Sequence, residues 1–515
     1  MFSRIHSAVC KGIEGRPVYV ETDISRGLPG TCIVGLASTM VMESRERIRS
    51  AIINSDLDYP KGRITVNLTP ASLRKTGSGL DLPIALGILA SCEYVDQARA
   101  SEFGVIGELS LEGSVLASEG VLPMIISMKK AGLCKAVIPA ANSIEASLID
   151  GIDIYPVRSL IEAVRIINGW GSGNRPRPLS DERESLIRMT QMQDSLPGDF
   201  KEIRGQENAK RAMTIAVTGR HGLLMIGSPG CGKTMLASRI PGIMPEITEE
   251  ERLETAVIYS AAGKRGADGV IPTWRPFRNP HNTIGRAGLI GGGSTPVPGE
   301  ITLAHNGVLF LDEVCEFDRE VIESLRIPLE EKKIVHFRKG ESYSFPCDFQ
   351  LVMAANPCPC GYYGDSVRIC RCTEAQLARY RKKLSGPIMD RIDMKIVMER
   401  VEYDELTEEA AGKNTVSSED MRMAVEKGID FAEARGRTVR NADMSDRDTE
   451  LYCALGSRED RFMSSAYKSL QMSPRSYRKT LRIARTIADM AESERITEEH
   501  LAEALSYRLT DSVNE

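Results

Sequence analysis

No stretch of this sequence is both long and apolar enough to read as a membrane span. The longest candidate, Leu80 to Cys92, is interrupted by Asp81 and Pro83 and falls short of the about 20 residues a bilayer-crossing helix needs. Residues 1–11 hold Arg4 and Lys11 with no apolar core between them, so a secretory signal is not expected. These absences predict a cytoplasmic protein without a membrane partner. An excess of basic charge is missing as well: 66 Lys and Arg stand against 71 Asp and Glu, a net charge of −5. A global field for nucleic acid is thereby excluded, and any such contact must come from a local patch. Fixed-period repeats and low-complexity tracts are absent, which argues against a solenoid or a disordered chain.

What is present is an ordinary globular composition, 42% hydrophobic and 27% charged over 515 residues. That length supports roughly three or four domains. A Gly, Pro, Arg and Ser run at Gly169 to Asp181, followed by polar residues to Gly198, reads as an exposed linker. A softer break falls near Val401 to Ser418. The division expected is therefore 1–168, a linker at 169–197, a nucleotide-binding core at 198–400 and a helical domain at 401–515. The first unit mixes strand text, Arg63 to Leu68, with helix text, Leu82 to Ala90, and is α/β or α+β. The second alternates short apolar strands (Leu223–Ile226, Val308–Leu311, Leu351–Ala354, Lys395–Met398) with helices and glycine-rich turns, the pattern of a parallel α/β sheet. The last offers amphipathic helices, one beginning at Pro474 with Tyr477, Leu481, Ala484, Ala488 and Ala491 on one face.

Gly227-Ser228-Pro229-Gly230-Cys231-Gly232-Lys233-Thr234 follows an apolar strand and opens a helix, which is the context a phosphate-binding loop requires. Its glycines let backbone amides turn inward, Lys233 reaches the terminal phosphates of ATP, and Thr234 offers a hydroxyl to Mg²⁺. The strand Val308–Leu311 then delivers Asp312 and Glu313, one carboxylate for Mg²⁺ and one to polarise a water. Asn356 ends the next strand and either orients that water or caps a turn. Arg391 sits between Asp390 and Asp393, where the plain reading is a surface ion pair. Ser473 reads as an N-cap with Pro474 at the first helical position, which puts Arg475 in the first turn against the helix dipole. An anion should compensate it, either a phosphate or an acidic neighbour.

Twelve cysteines read as reduced thiols, eight of them scattered singly as core filling. The other four, Cys358-x-Cys360 and Cys370-x-Cys372, supply enough thiolates for one structural Zn²⁺, although a one-residue gap strains chelation of one ion by both members of a pair. A redox pair, an iron–sulfur cluster or plain reduced thiols are the other readings.

Taken together, Gly205-Gln206-Glu207, Gly291-Gly292-Gly293-Ser294, Pro298 to Ile301 running through Leu303–Glu313, Asn356-Pro357-Cys358-Pro359-Cys360-Gly361, Ser385-Gly386-Pro387, Asp390-Arg391-Ile392-Asp393 and Ala484 to Asp489 resemble the YifB/ComM branch of magnesium-chelatase-like AAA+ ATPases over nearly the whole chain. The resemblance implies an AAA+ P-loop core with a parallel sheet, a C-terminal helical lid and an N-terminal α+β domain of Lon-protease type. It implies Walker A roles for Lys233 and Thr234, Walker B roles for Asp312 and Glu313, a first sensor at Asn356, an arginine finger at Arg391 serving a neighbouring subunit, and a second sensor at Arg475. It implies a homo-oligomeric ring, a hexamer, that acts on single-stranded or branched DNA as a helicase or branch-migration motor in recombination or natural transformation. The segment Lys332–Phe345, with Lys333, Arg338 and Lys339, reads as a β-hairpin with a basic tip; the resemblance implies that this tip faces the pore and that Arg275 to Arg286 is a second inserted pore element.

Thr76 to Leu86 and Gly107 to Pro123 resemble the two active-site segments of Lon-type proteases, but the nucleophile and base positions fall near Leu80 and Leu122. Neither can activate acyl transfer, and Ser78 and Lys129 are the nearest substitutes. The rival readings are the ATPase subunit of a magnesium chelatase and a Lon-like ATP-dependent protease.

Overall fold

The computed structural model describes residues 1–75, 77, 79–169, 178–181, 198–264, 274–338, 340–365, 367–383, 388–401 and 416–508. Most of the expected linker, most of the break near Val401 to Ser418, and Thr76, Ser78, Lys339 and Ser385-Gly386-Pro387 lie outside these residues.

Strand-forming text near the N-terminus builds a mixed seven-stranded sheet. It comprises β1 (Phe2–Lys11), β2 (Glu14–Ser25), β3 (Gly30–Val34), β4 (Arg63–Thr69), β5 (Phe103–Val105), β8 (Lys135–Pro139) and β9 (Asp153–Val157), in the order β3-β4-β2-β1-β5-β8-β9. The short pair β6 (Glu108–Leu109) and β7 (Val115–Leu116) stands apart. In β4 the period-two pattern buries Ile64, Val66 and Leu68 on one face. The apolar run read from sequence forms the helix Asp81–Ser91, buried along its whole length against β1 and β2. Its approach is close enough that a Cβ on Gly87 would meet the Thr22 hydroxyl at 2.7 Å.

The second sheet is parallel throughout. It holds β10 (Leu223–Gly227), β11 (Phe277–Arg278), β12 (Val308–Leu311), β15 (Gln350–Ala355) and β16 (Met394–Met398) in the order β11-β12-β15-β10-β16. Its central strands β10, β12 and β15 read as apolar runs because both faces are covered. Met225, Phe310, Val352 and Ile396 face a core shared with the C-terminal helices, while Leu224, Leu309, Leu311 and Met353 face the opposite layer. Between β12 and β15 the chain makes the antiparallel hairpin β13 (Lys333–Arg338) and β14 (Glu341–Pro346).

The C-terminal helices Ser418–Ala434, Asp446–Tyr452, Ser457–Ser469, Pro474–Met490 and Glu498–Ser506 pack on the helix Glu207–Gly219 and on one another. The helix from Pro474 starts as expected, with Ser473 accepting from Ser476 N at 3.1 Å, but it ends at Met490, so Ala491 is its C-cap and not part of the buried face. The Ala484–Asp489 motif is buried and architectural: Asp489 takes Arg485 at 2.9 Å, Arg435 at 3.2 Å, Arg437 at 3.1 Å and Asn441 at 2.9 Å.

Among the described residues, contacts at two places join the N-terminal sheet unit to the nucleotide-binding sheet unit. Gly120 N and Leu122 N donate to the Ser260 carbonyl and hydroxyl at 2.9 and 3.2 Å, with Ala256 packed into the core around Val121 and Ile125. Lys11 pairs with Glu341 at 3.1 Å and lies over the Tyr343 ring. Among the described residues no helix is long and apolar enough to cross a membrane.

Candidate nucleotide site and its surroundings

The phosphate loop leaves the C-terminal end of β10 and enters the helix Lys233–Arg239. Gly230 and Gly232 have φ of 83° and 92°, where an L side chain is strained, and open space lies where a Cβ would stand. Backbone amides are thereby free to face an anion at a helix start. Cys231 is buried beneath the loop, its thiol pushed up by burial.

Lys233 is buried, and its ammonium donates to Gly227 O at 2.6 Å, Ser228 O at 3.1 Å and Asn356 Oδ1 at 3.1 Å. Thr234 Oγ1 donates to Asp312 Oδ2 at 2.6 Å, and Glu313 N donates to Asp312 Oδ1 at 2.9 Å. Glu313 holds a left-handed backbone, φ 50°, at the strand tip with its side chain exposed. Five residues that follow the C-terminal ends of three parallel strands thus converge at one end of the sheet. A hydroxyl and a carboxylate in contact, with open acceptor positions, suit one Mg²⁺, and the glycine cradle suits the polyphosphate of ATP.

Arg391 and Arg475 lie elsewhere. Both line a cleft of 650 Å³ at the opposite end of β10, beside Gly222, together with Arg478, Lys479 and Arg482. The five residues of β10 separate this cleft from the phosphate loop by about 16 Å. Arg391 pairs with Glu330, so an ion pair does form, with an acid from a different element. Asp393 instead ties the sheet to the lid: it accepts from Lys479 at 3.0 Å and from Gly222 N at 3.0 Å, beside His221 at 3.7 Å. Burial works to raise this carboxyl, but Lys479 and His221 outweigh it and hold it below the usual carboxylate range. Arg475 is exposed and has no ion pair among the described residues, since Asp446 is taken by Arg478 at 2.7 Å. The first turn of its helix holds no acidic residue.

The hairpin forms as read, with Arg338 opposite Glu341 and Gly340 at φ 80° in the turn. Lys333 and Arg338 are exposed, and Phe337 is 74% exposed beside them. His336 Nε2 meets Ile290 O at 3.1 Å, which fastens the hairpin to the segment around the helix Arg286–Ile290. Phe337 was not singled out from sequence, where alternation alone could not say which hairpin face is open. The adjacent basic stretch is only partly available. Arg275 is tied to Glu251 at 2.9 Å and to Asn306 O at 2.9 Å, and Arg278 to Glu300 at 2.6 Å, leaving His281 and Arg286 exposed.

The four clustered cysteines come together. Cys358 is buried, its Sγ lies 3.3 Å from Cys360 and 3.7 Å from Cys370, and all four sulfurs lie within 4.8 Å of one another. A tetrahedron of thiolates at the usual zinc distance has an edge of about 3.8 Å. The one-residue gaps therefore do not prevent convergence, because Gly361 at φ 85° turns the first arm back. Amides of Arg371 and Tyr362 donate to Cys360, and Cys372 N donates to Cys370 Sγ at 3.4 Å, so each arm carries the residue-plus-two N–H···S contact that favours thiolate. Of the eight scattered cysteines, Cys32 and Cys134 are exposed, which corrects their reading as core filling.

In the N-terminal unit Leu80 and Leu122 are both buried. Lys129 lies at the far end of its helix, where its ammonium donates to Asp150 O at 2.6 Å.

Three family models and several known proteins match this chain. Residues 199–406 match the family model described as magnesium chelatase, subunit ChlI; residues 20–142 match subunit ChlI of Mg-chelatase; residues 415–508 match the ChlI C-terminal model. Competence protein ComM of Haemophilus influenzae is 39% identical over 508 residues, covering 98% of this chain and 97% of that protein. A protein named YifB from Escherichia coli is 37% identical over 511 residues, covering 99% and 97%. An archaeal Lon protease of Methanocaldococcus jannaschii is 27% identical over 134 residues, 26% of this chain and 20% of that one.

Proposed function

The chain belongs to the YifB/ComM family of magnesium-chelatase-like AAA+ proteins, and from that premise we propose that it is an ATP- and Mg²⁺-dependent ring ATPase that moves on DNA. The observation that carries this reading is the distance between its two half-sites. The phosphate loop, Asp312, Glu313 and Asn356 sit at one end of the parallel sheet, and Arg391 and Arg475 at the other. A single subunit cannot bring them to one nucleotide, whereas a closed ring brings the arginine edge of each subunit to the phosphate loop of the next. A hexamer is the ring proposed. Lys233 and the loop amides bind the polyphosphate, Thr234 and Asp312 hold Mg²⁺, Glu313 orients water, and Asn356 senses the terminal phosphate. The neighbour's Arg391 and Arg475 stabilise charge in the transition state. Bound Mg²⁺ neutralises phosphate charge.

The hairpin, with Phe337 and Arg338 exposed at its tip and Lys333 exposed at its base, supports a DNA contact in which cations follow the backbone and an aromatic stacks. With the relative named as a competence protein, this supports a helicase or branch-migration role in recombination or natural transformation, in the cytoplasm. The four cysteines are proposed to hold a structural Zn²⁺. The domain limits proposed are 1–168, 198–400 with the Cys-rich insertion 358–372, and 401–515.

A chelatase-type ATPase subunit is the second reading, favoured by the descriptions of the matching family models. A Lon-like protease is opposed by buried leucines where a nucleophile and base are needed. The test is steady-state ATP hydrolysis with single-stranded DNA, forked DNA, or protoporphyrin plus Mg²⁺, with Lys233→Ala as blank. Stimulation by DNA is expected. Stimulation by porphyrin alone would replace the DNA reading with the chelatase one.

A further inference from the structure

The cysteine loop does more than project from the sheet. It begins one residue after Asn356, the strand-tip amide that accepts from Lys233 at 3.1 Å. Between Asn356 and Thr373 the described residues form neither helix nor strand, and among them only Cys358 and Gly361 are buried. A loop so built has little besides its thiolate centre to fix its shape. Yet it is fitted closely to the phosphate loop at two further points. Gly361 lies against Pro229, so that a Cβ on Gly361 would stand 2.7 Å from Pro229 Cγ and Cδ. Asp365 accepts a hydrogen bond from the Ser228 side chain and from Val367 N and Arg368 N, both at 2.9 Å. These bonds, Ser228 first, hold the Asp365 carboxyl down at about 2, so it is an anion at any working pH.

Three independent ties therefore run from the four-thiolate centre to the nucleotide pocket: the covalent path to Asn356, the contact on Pro229 and the bond to Ser228. We propose that the thiolate centre is a metal-dependent latch on the phosphate loop, such that Zn²⁺ occupancy tightens nucleotide binding and bound nucleotide retains the Zn²⁺. This rests on the reading of the four cysteines as zinc ligands. The physical basis is preorganisation: a fixed loop holds Pro229, Ser228 and Asn356 in place, so less ordering remains to be done when a phosphate enters. Coupling of this kind is reciprocal, and the two effects must match in size.

The experiment uses the full chain and reads binding, not turnover. Metal analysis after gel filtration is expected to give about one Zn²⁺ per chain. Stripping the metal should weaken binding of a fluorescent ATP analogue about tenfold, and restoring Zn²⁺ should recover it. In the converse arm, ATPγS should tighten Zn²⁺ binding, read at equilibrium against a chromophoric competing chelator, by the same factor. Asp365→Asn, which leaves all four thiolates in place, should keep its Zn²⁺ while losing most of the protection by ATPγS. A stripped, folded protein that binds the analogue as tightly as the loaded one overturns the latch and leaves the zinc site standing. So does an Asp365→Asn protein protected by ATPγS as fully as the parent, a result that does not depend on the stripped form staying folded. A chain that takes up no Zn²⁺ overturns the zinc reading and the latch with it.

Discussion

The ammonium of Lys233 lies 3.1 Å from the side-chain oxygen of Asn356. Its remaining donors go to the carbonyls of Gly227 and Ser228. A terminal phosphate that enters the loop must draw Lys233 from these neutral acceptors, and it does so with the stronger pull of a charge-assisted bond. The bond thus ties the start of the helix after β10 to the tip of β15.

Lys233→Ala should weaken ATP binding by at least about tenfold, whereas Asn356→Ala should leave affinity nearly intact and lower turnover about a hundredfold. Titration of a fluorescent ATP analogue, alongside steady-state hydrolysis, separates the two. Equal loss of affinity in both variants would show that Asn356 only supports the loop.

Arg391→Ala and Arg475→Ala should each bind ATP as the parent does and lose about a thousandfold in turnover, because both arginines are placed at the far end of β10 from their own phosphate loop. Mixing either variant with Glu313→Gln subunits should restore part of the activity, since one partner then supplies an intact phosphate site and the other an intact arginine edge. Mixtures as inactive as their components would contradict action across a subunit boundary.

Phe337→Ala and Arg338→Ala should reduce DNA-stimulated hydrolysis while basal hydrolysis is retained, for both side chains are exposed on the hairpin and distant from the phosphate loop. Arg338→Ala should lower the slope of log affinity against log salt by about one, and Phe337→Ala should leave that slope unchanged. Binding isotherms with an oligonucleotide at three salt concentrations check this.

Asp393→Asn should lower stability by about 3 kcal/mol, since it leaves Lys479 buried beside His221 without a carboxylate. The carboxyl of Asp393 is held below its ordinary value in the folded chain. Its contribution is therefore present at neutral pH and is lost as pH falls through the unfolded-state value near about 4 and on toward the lower folded one. Melting temperature against pH should drop steeply in the parent below about pH 5 and less steeply in the variant. Parallel curves would remove Asp393 from this role.

Much of the molecule was legible without coordinates because its signals are local. A five-residue apolar strand followed by Gly-rich turn and Lys-Thr needs no distant partner to declare a phosphate loop, and β10, β12 and β15 lie within a residue or two of where their runs of apolar side chains put them. The same holds for Ser473 and Pro474 at a helix start. Pairings across the chain were not legible. Nothing near Arg275 reveals that Glu251 and Asn306 will claim it, and nothing near Arg391 names Glu330 as its partner.

The sequence by itself determined which chemistry is available: a phosphate loop, two strand-tip acids, an amide, two unexplained arginines and four thiols, each set by residues a few positions apart. Only the tertiary structure decided where that chemistry is used. Parallel strands put Asp312, Asn356 and Lys233 at one edge, since parallel strands share a C-terminal end. The lid is fastened to the other edge through Asp393 and Lys479, which carries Arg475 away from its own phosphate loop and beside Arg391. The cysteine loop, free in sequence to lie anywhere, is set against Pro229 and Ser228. Contacts of that kind join residues far apart in the sequence, 86 positions for Asp393 and Lys479 and 132 for Gly361 and Pro229, and it is the packing of whole elements, not the text of any one, that selects them.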